Sequence, residues 1–482
     1  MIKLTKISIF VSLSLLYGCS APDQIKPQNK LNDQAVLSHS SNLKSQQFSV
    51  ADWPKQDWWK SFGDPQLNQL IERALKNSPD IQLANAMLTK ASSYVMAADS
   101  QFDPTLTADA AARRARLSRS EDYSMQGNRY GTVYDLGLNG SYTFDLWGGE
   151  RSAWEASVNN QQAAEVDHQA AKITLSNAII RSYVELENSY SLLDLAHKDL
   201  ERTQRIVRIT QNLLNHGLTS DDRLYTAQSN AAGAQQVLKK RTLAIRQLKN
   251  AIATLVGEGP DTAWGIQRPT SQISTVLKLP EDLPANLLSH RPDIVAAKWR
   301  VEAASKNIDA AKTRFYPNVN LSAMAGFKAM LGDAVFEDVS RSWNVTPAIS
   351  LPIFTKGLTA DLIEKTADYD TAVAQYNKSL TNALGQVTDS ILAIKSLGNQ
   401  LKDAEQSMHL ADKSYRITEK RYQSGMGSQL EVLIAEDQLI QAESAYTTLK
   451  NQQQEEQVLL IQALGGGFSN VQAPAKTVTD KD

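Results

Sequence analysis

The sequence holds a single cysteine in 482 residues, at position 19, and a lone thiol excludes both an internal disulfide framework and a cysteine metal cluster. Its histidines, His39, His168, His197, His216, His290 and His409, are scattered without a ligand spacing, so neither a metal site nor a cofactor is expected. There is no phosphate-cradling Gly-rich loop, no Gly-x-Ser-x-Gly and no converging acid/base set, which argues against an enzyme. A net charge of -2 gives no electrostatic case for a nucleic-acid partner. Past the first twenty or so residues no apolar run reaches the roughly 18 residues that a spanning helix requires.

What the chain does contain begins at its start. Lys3 and Lys6 precede an apolar stretch from Ile7 to Leu16, too short to cross a hydrocarbon core that takes roughly 20 helical residues, and this reads as a secretion signal over 1–18. Leu16-Tyr17-Gly18-Cys19-Ser20 has the arrangement of a bacterial lipobox, in which Cys19 takes a lipid and becomes the new N-terminus; an ordinary secretory signal with an incidental cysteine is the alternative. Ser20, rather than Asp, resembles lipoproteins sent to the outer membrane. Residues 19–50 are rich in Ser, Gln, Asn, Lys and Pro and are expected to form a flexible tether, with order starting near Trp53.

Length alone would suggest about three domains, but repetition overrides that estimate. Ser78-Pro79-Asp80-Ile81 falls on Arg291-Pro292-Asp293-Ile294 at an offset of 213 (292 − 79), and Ala91, Ala97, Ala98, Phe102 and Pro104 fall on Ala304, Ala310, Ala311, Phe315 and Pro317 at the same offset. Further on the offset becomes 208 (416 − 208), which sets Arg208-Ile209-Thr210, Gly217, Ser220, Ala227 and Gly257 on Arg416-Ile417-Thr418, Gly425, Ser428, Ala435 and Gly465. One unit of roughly 210 residues is written twice, over 51–270 and 271–466, followed by a tail at 467–482 expected to be disordered.

Each copy carries two periodicities. No proline interrupts Gly149 to Asn215, and Ile179, Leu186, Leu193, Leu200, Val207 and Leu214 recur every seven residues; Val373, Leu380, Val387, Ile394, Leu401, Met408, Tyr415 and Tyr422 do the same in the second copy. A seven-residue period held that long is a supercoiling seam, and a helix of about 65 residues would be roughly 100 Å long. Both helices stop at a glycine, in His216-Gly217-Leu218-Thr219-Ser220 and Ser424-Gly425-Met426-Gly427-Ser428, with Ser220 and Ser428 placed to cap the return helices expected at about 220–257 and 428–464. Pro79 and Pro292 suit the first turns of shorter helices, with Asp80 and Asp293 at the positive end of the helix dipole.

Between the helices the period drops to two. Tyr134, Leu136, Leu138, Tyr142, Phe144 and Leu146 alternate with Asp135, Asn139, Ser141, Thr143 and Asp145, a two-faced strand. Leu106, Ala108, Ala110 and Ala112 form its weaker partner in a hairpin at about 102–147, and a second hairpin at about 315–354 carries Val319, Leu321, Ala323, Ala325 and Phe327, then Trp343, Val345, Ile349, Leu351 and Ile353. Strands of this length, with Tyr130, Trp147, Phe315, Trp343 and Phe354 at their ends, match transmembrane strands of roughly 9–11 residues. Four strands cannot close a barrel and an open edge is forbidden in lipid, so several chains must share one barrel.

The stretch Leu288-Ser289-His290-Arg291-Pro292-Asp293-Ile294 through Ala310-Ala311-Lys312-Thr313-Arg314-Phe315-Tyr316-Pro317, the segment Trp58-Trp59-Lys60-Ser61-Phe62 and the duplicated halves resemble the TolC-like outer-membrane efflux proteins over about residues 50–466, the lipid-anchored subgroup most of all. That resemblance implies a mainly α fold with transmembrane β: a homotrimer whose chains each give four strands to a twelve-stranded barrel and their helices to a tunnel across the periplasm. It implies an outer-membrane, lipid-anchored exit channel of a tripartite efflux pump, conducting drugs or other small compounds. The implied partners are a periplasmic adaptor of the membrane-fusion type and an inner-membrane transporter. It further implies a gate of acidic residues just after the second tip; Gly425 to Ala435 matches that motif, with Glu431 at the first acidic position and Ile434 at the second, a departure that points to a more hydrophobic constriction. Ser428-Gln429-Leu430-Glu431 is equally a Ser-x-x-Glu capping box, and the two roles are compatible. Arg223 holds the repeat position of Glu431 (223 + 208 = 431), so the two are expected to pair across a closed tip. Gly217, Thr219, Ser220, Gly425, Gly427 and Ser428 are the implied adaptor contacts, although tight turns alone would explain the glycines.

The rival reading is a lipid-anchored periplasmic coiled-coil scaffold without channel activity. It would keep Cys19 and the heptads but has no use for aromatics on alternating strands. Cargo and the class of partner pump are not written in this chain.

Overall fold

The structure, a computed structural model, describes residues 22, 24–32, 49–50, 53–116, 130–270, 278–279, 290–329 and 335–469; the expected signal at 1–18, Cys19 and residues 470–482 lie outside them. The elements run β1 (Ser49–Val50), α1 (Pro65–Asn77), α2 (Pro79–Asp99), β2 (Thr105–Arg116), β3 (Tyr130–Phe144), α3 (Gly149–Asn215), α4 (Asp221–Val256), β4 (Lys278–Leu279), α5 (Pro292–Thr313), β5 (Asn318–Ala329), β6 (Arg341–Ser350), α6 (Lys356–Gln423) and α7 (Gln429–Ala463). Each repeat therefore reads short helix, hairpin, long helix, return helix. Among the described residues no helix is long and apolar enough to cross a membrane.

The chain divides into two compact units. The first comprises Met1–Leu31, Leu88–Ala164 and Ala297–Tyr376 and holds the antiparallel sheet, in the order β2-β3-β5-β6. Its register aligns the alternation seen in the sequence. Ala110, Leu136 and Phe327 are direct neighbours across three strands, as are Ala108, Leu138, Ala325 and Trp343 across all four, so the apolar residues share one face. The other face carries Thr107 and Asn139, and Ser141, Ser322 and Thr346, in the same rows. That polar face bonds to itself: the Asn139 amide donates to Asp109 at 2.7 Å, and Lys328 pairs with Asp135 at 3.7 Å.

Beneath the strands Trp147 stacks on Tyr316 at 5.0 Å and donates its indole N–H to the Pro317 carbonyl at 2.7 Å, which joins the end of one hairpin to the start of the other. Ile308, Ala311, Phe315 and Leu362 form the local core. Lys306 pairs with Glu155 at 2.6 Å, and that contact holds the Glu155 carboxyl below the usual glutamate range. Part of the expected tether belongs to this unit. Ile25 packs on that core, while the backbone N–H groups of Gln28 and Asn29 donate to the Asp370 carboxylate on α6 at 2.9 and 2.8 Å. The expectation of a flexible tether over the whole of 19–50 is corrected for this stretch: a half-buried apolar side chain and one carboxylate that accepts two successive backbone donors hold it.

The second unit comprises Asn32–Met87, Glu165–Ala296 and Asn377–Asp482. Trp59 and Phe62, in a single 3-10 turn, pack with Leu67 and Ile71 of α1 against Ile179, Ile180 and Tyr183 of α3 and Ile252 of α4. Asp64 caps α1 by accepting from the Gln66 and Leu67 N–H groups and also receives the Tyr183 hydroxyl at 2.8 Å and the Thr270 N–H at 3.0 Å. Burial works against its charge, but those four donors together hold the carboxyl below the usual aspartate range. Arg291, its side chain 9% exposed, pairs with Asp293 at 2.7 Å and donates to Gln386 and to the Ala463 carbonyl, tying the start of α5 to α6 and to the end of α7. The heptad residues Val373, Leu380, Val387 and Ile394 are buried, whereas Leu401, Met408 and Tyr415 nearer the tip are half-buried and Tyr422 is exposed. The seam is closed by the chain's own packing in its upper part only.

Candidate functional site

The two helical tips have the same backbone. Gly217 (φ 69°) and Gly425 (φ 72°) adopt the left-handed conformation that ends α3 and α6. The Gly217 N–H donates to the Leu214 carbonyl and the Leu218 N–H to Leu213, both at 2.8 Å; the Gly425 N–H donates to Tyr422 and the Met426 N–H to Arg421, both at 2.9 Å. These are two copies of one Schellman turn, and each leaves a large apolar side chain in the open, Leu218 at 72% and Met426 at 68% exposure. Thr219 and Gly427 are both half-buried.

After the turn the copies part. Ser428 caps α7, its hydroxyl oxygen accepting from the Glu431 N–H at 3.2 Å. The reciprocal bond of a full capping box is not made; the Glu431 carboxylate lies back over Gly427, where a Cβ would come within 3.1 Å of it. Ser220 has the extended backbone of a cap but its side chain makes no cap bond, which corrects the expectation that both serines cap. The Asp222 carboxyl is held below the usual aspartate range, by the nearby Ser220 hydroxyl first and then by the backbone N–H groups of Asp222 and Arg223.

Glu431 and Ile434 share one face of α7, together with Leu430, all exposed, while Val432, Leu433, Ala435 and Ile440 are buried on the other. The face that carries the expected constriction is thus the one left free by the chain's own packing. Arg223 is exposed on the first turn of α4, and among the described residues no ion pair joins it to Glu431. The structure sets Glu431 and Ile434 on one face of α7, and among the described residues Arg223 forms no ion pair with Glu431.

A cluster that the sequence reading missed holds the buried face. Arg202 of α3, its side chain 11% exposed, pairs with Asp199 and with Asp437 of α7, each at 2.7 Å, and reaches the Leu433 carbonyl. Arg205 donates to both Glu436 oxygens at 2.7 and 2.9 Å, and Lys198 pairs with Glu443 at 3.1 Å. Tyr415 of α6 lies at the same level; burial first, then the nearby Glu419 and Glu436, raises its hydroxyl pKa. The signal was available by counting: Arg202 lies fifteen residues before Gly217 (217 − 202) and Asp437 twelve after Gly425 (437 − 425), so basic residues one turn apart on α3 face acidic ones at a matching height on α7.

The family model described as outer membrane efflux protein matches residues 70–258 and 283–466, a gap that falls at the repeat boundary. The chain belongs to the outer membrane efflux protein family. It is 31% identical over 351 residues to the fusaric acid resistance protein FusA of Burkholderia cepacia, a match that takes in 71% of this chain and 65% of that protein. To the multidrug resistance outer membrane protein MdtP of Shigella flexneri it is 27% identical over 484 residues, 97% of each. The crystal structure of the outer membrane protein VceC from Vibrio cholerae superposes with a TM-score of 0.78 at 34% identity, covering 86% of this chain and 100% of that one.

This efflux protein accordingly has the TolC-like architecture expected from its sequence, mainly helical with four membrane strands per chain, and it is an outer-membrane efflux channel. The β2-β3-β5-β6 sheet has one apolar and one polar face, the alternation of a membrane strand.

Proposed function

We propose that the protein acts as a homotrimer whose three sheets close into a twelve-stranded barrel, forming the exit duct of a tripartite pump with a periplasmic adaptor and an inner-membrane transporter. The observation that carries this reading is the two-faced sheet whose edges β2 and β6 are both open among the described residues, since lipid tolerates no open edge and a second or third copy offers the matching strand. Cys19 carries the lipid after removal of 1–18, and residues up to about 50 lead from it to the first repeat; the tail expected at 467–482 starts later than that, because Gly467 and Phe468 are buried. The relatives' names, fusaric acid resistance and multidrug resistance, favour small organic compounds as cargo.

Glu431 and Ile434 form the constriction, since they share the exposed face of α7, with Arg223 a candidate partner from a neighbouring copy. The tip residues Gly217, Thr219, Ser220, Gly425, Gly427 and Ser428 make the adaptor contact, favoured by the exposed Leu218 and Met426 beside them. Chemical cross-linking of detergent-purified mature protein, together with complementation of a drug-susceptible deletion strain, tests the reading. A three-chain species and restored resistance are expected, and a single-chain species that is water-soluble without detergent would contradict it.

A further inference from the structure

The register of the sheet places arginines where the sequence alternation alone gives no reason to look for them. Along β2 the residues on the lipid face are Leu106, Ala108, Ala110, Ala112, Arg114 and Arg116; Arg114 lies opposite Thr132 and Arg116 opposite Tyr130. On β6 the same face opens with Arg341, opposite Phe327, followed by Trp343, opposite Ala325. All three arginines sit at the strand ends farthest from the helices: Arg116 is the last residue of β2 and Arg341 the first of β6. In a tilted sheet the register drifts along each successive strand, so it is the strand ends, rather than the hydrogen-bonded rows, that share a level.

An arginine on the lipid face is strongly disfavoured at the bilayer midplane and tolerated at its edge. Three of them beyond a run of leucine, alanine and valine therefore mark the headgroup level. Tyr130 (63% exposed) and Trp343 (77% exposed) stand beside them, as aromatic side chains do at that level. Arg341 has only an exposed partner, Asp338 at 2.8 Å, a contact that competes weakly with a headgroup, and no ion pair among the described residues engages Arg114 or Arg116. Because β2 and β6 are the two edges of the sheet, closure with further copies sets Arg114 and Arg116 of one chain beside Arg341 of the next.

We propose that Arg114, Arg116 and Arg341, flanked by Tyr130 and Trp343, form a band that binds the phosphate groups of outer-leaflet lipid at each seam of the barrel. The guanidinium fork matches phosphate geometry and keeps its charge in a dry setting. This rests on the outer-membrane barrel reading.

The test uses full-length protein reconstituted in bilayers of phosphatidylcholine alone or doped with phosphatidic acid, with co-purifying lipid measured by native mass spectrometry. Wild type should retain phosphatidic acid preferentially, and each arginine removed in R114Q, R116Q and R341Q should lower that retention about fivefold, with phosphatidylcholine retention unchanged. The corresponding lysine variants should recover part of it. Equal retention by wild type and the triple glutamine variant, or displacement of the lipid by inorganic phosphate at low concentration, would overturn the proposal. Failure of wild type to enter either bilayer would instead overturn the barrel reading, so the two failures are distinct.

Discussion

The two tips share a backbone and differ in the side chains just beyond it. Both carry a left-handed glycine and the same pair of turn hydrogen bonds, yet the Ser428 hydroxyl caps its helix and the Ser220 side chain makes no cap bond. Duplication preserved the hairpin, which is a matter of glycine and helix ends. The side chains on the exposed faces, Glu431 and Ile434 in one copy and Asp222 and Arg223 in the other, were free to diverge because they are exposed. In this protein the shared part of the repeat is the scaffold and the unshared part is the candidate machinery.

That contrast can be broken most forcefully where the return helices end. Gly257 and Gly465 are repeat partners with φ of 82° and 102°, and a Cβ at Gly465 would run into the His290 carbonyl, whereas one at Gly257 would meet Asn77 and Ser78 backbone atoms at 2.9 Å. Gly465→Ala should therefore lower stability by about 3 kcal/mol or more, and Gly257→Ala by less, measured as thermal unfolding of the detergent-solubilised oligomer. Next in size, Arg202→Ala should destabilise by about 2 kcal/mol, because it leaves Asp437 and Asp199 without their cation in a half-buried setting. Hydrogen exchange should rise first in 429–443. No equivalent loosening is expected after Arg223→Ala, since Arg223 is exposed and makes no ion pair among the described residues.

Smaller effects sharpen the comparison. Ser428→Ala should cost about 1 kcal/mol and increase exchange in the first turn of α7, whereas Ser220→Ala should leave helix α4 nearly unchanged because no cap bond is lost. Ser220→Ala should act on titration instead. The Asp222 carboxyl is held low in the folded chain, so the stability it contributes is present above the ordinary aspartate value of 3.8 and is lost as pH falls through its lowered value. Carboxyl titration by NMR should move Asp222 back toward 3.8 in the Ser220→Ala variant, with no counterpart at the second tip.

Much of this architecture was legible in the sequence because it rests on period. The seven-residue spacing from Ile179 to Leu214 marked a single long helix, and the alternation from Tyr134 to Phe144 marked the apolar face of the sheet. Glycine at 217 and 425 placed the tips within a residue or two. Pairing between distant segments could not be read. The Arg202 and Arg205 contacts to α7, the bonds from Gln28 and Asn29 to Asp370, and the direction of the Ser220 hydroxyl depend on which charged groups come to lie opposite one another after folding. Local period carries no information on that. The same holds for Arg223 and Glu431: repeat arithmetic aligned them in register, but among the described residues no ion pair joins them.

A water-filled path narrowed at the exposed face of α7 is the central claim. The most direct measurement is single-channel conductance of the purified mature protein in a planar bilayer, comparing wild type with Glu431→Lys. A small, stable, cation-preferring conductance that rises in amplitude or changes ion preference when the charge is reversed is the predicted result. A protein that inserts and conducts identically with either residue would contradict Glu431 as part of the constriction, and one that never conducts would contradict the channel itself.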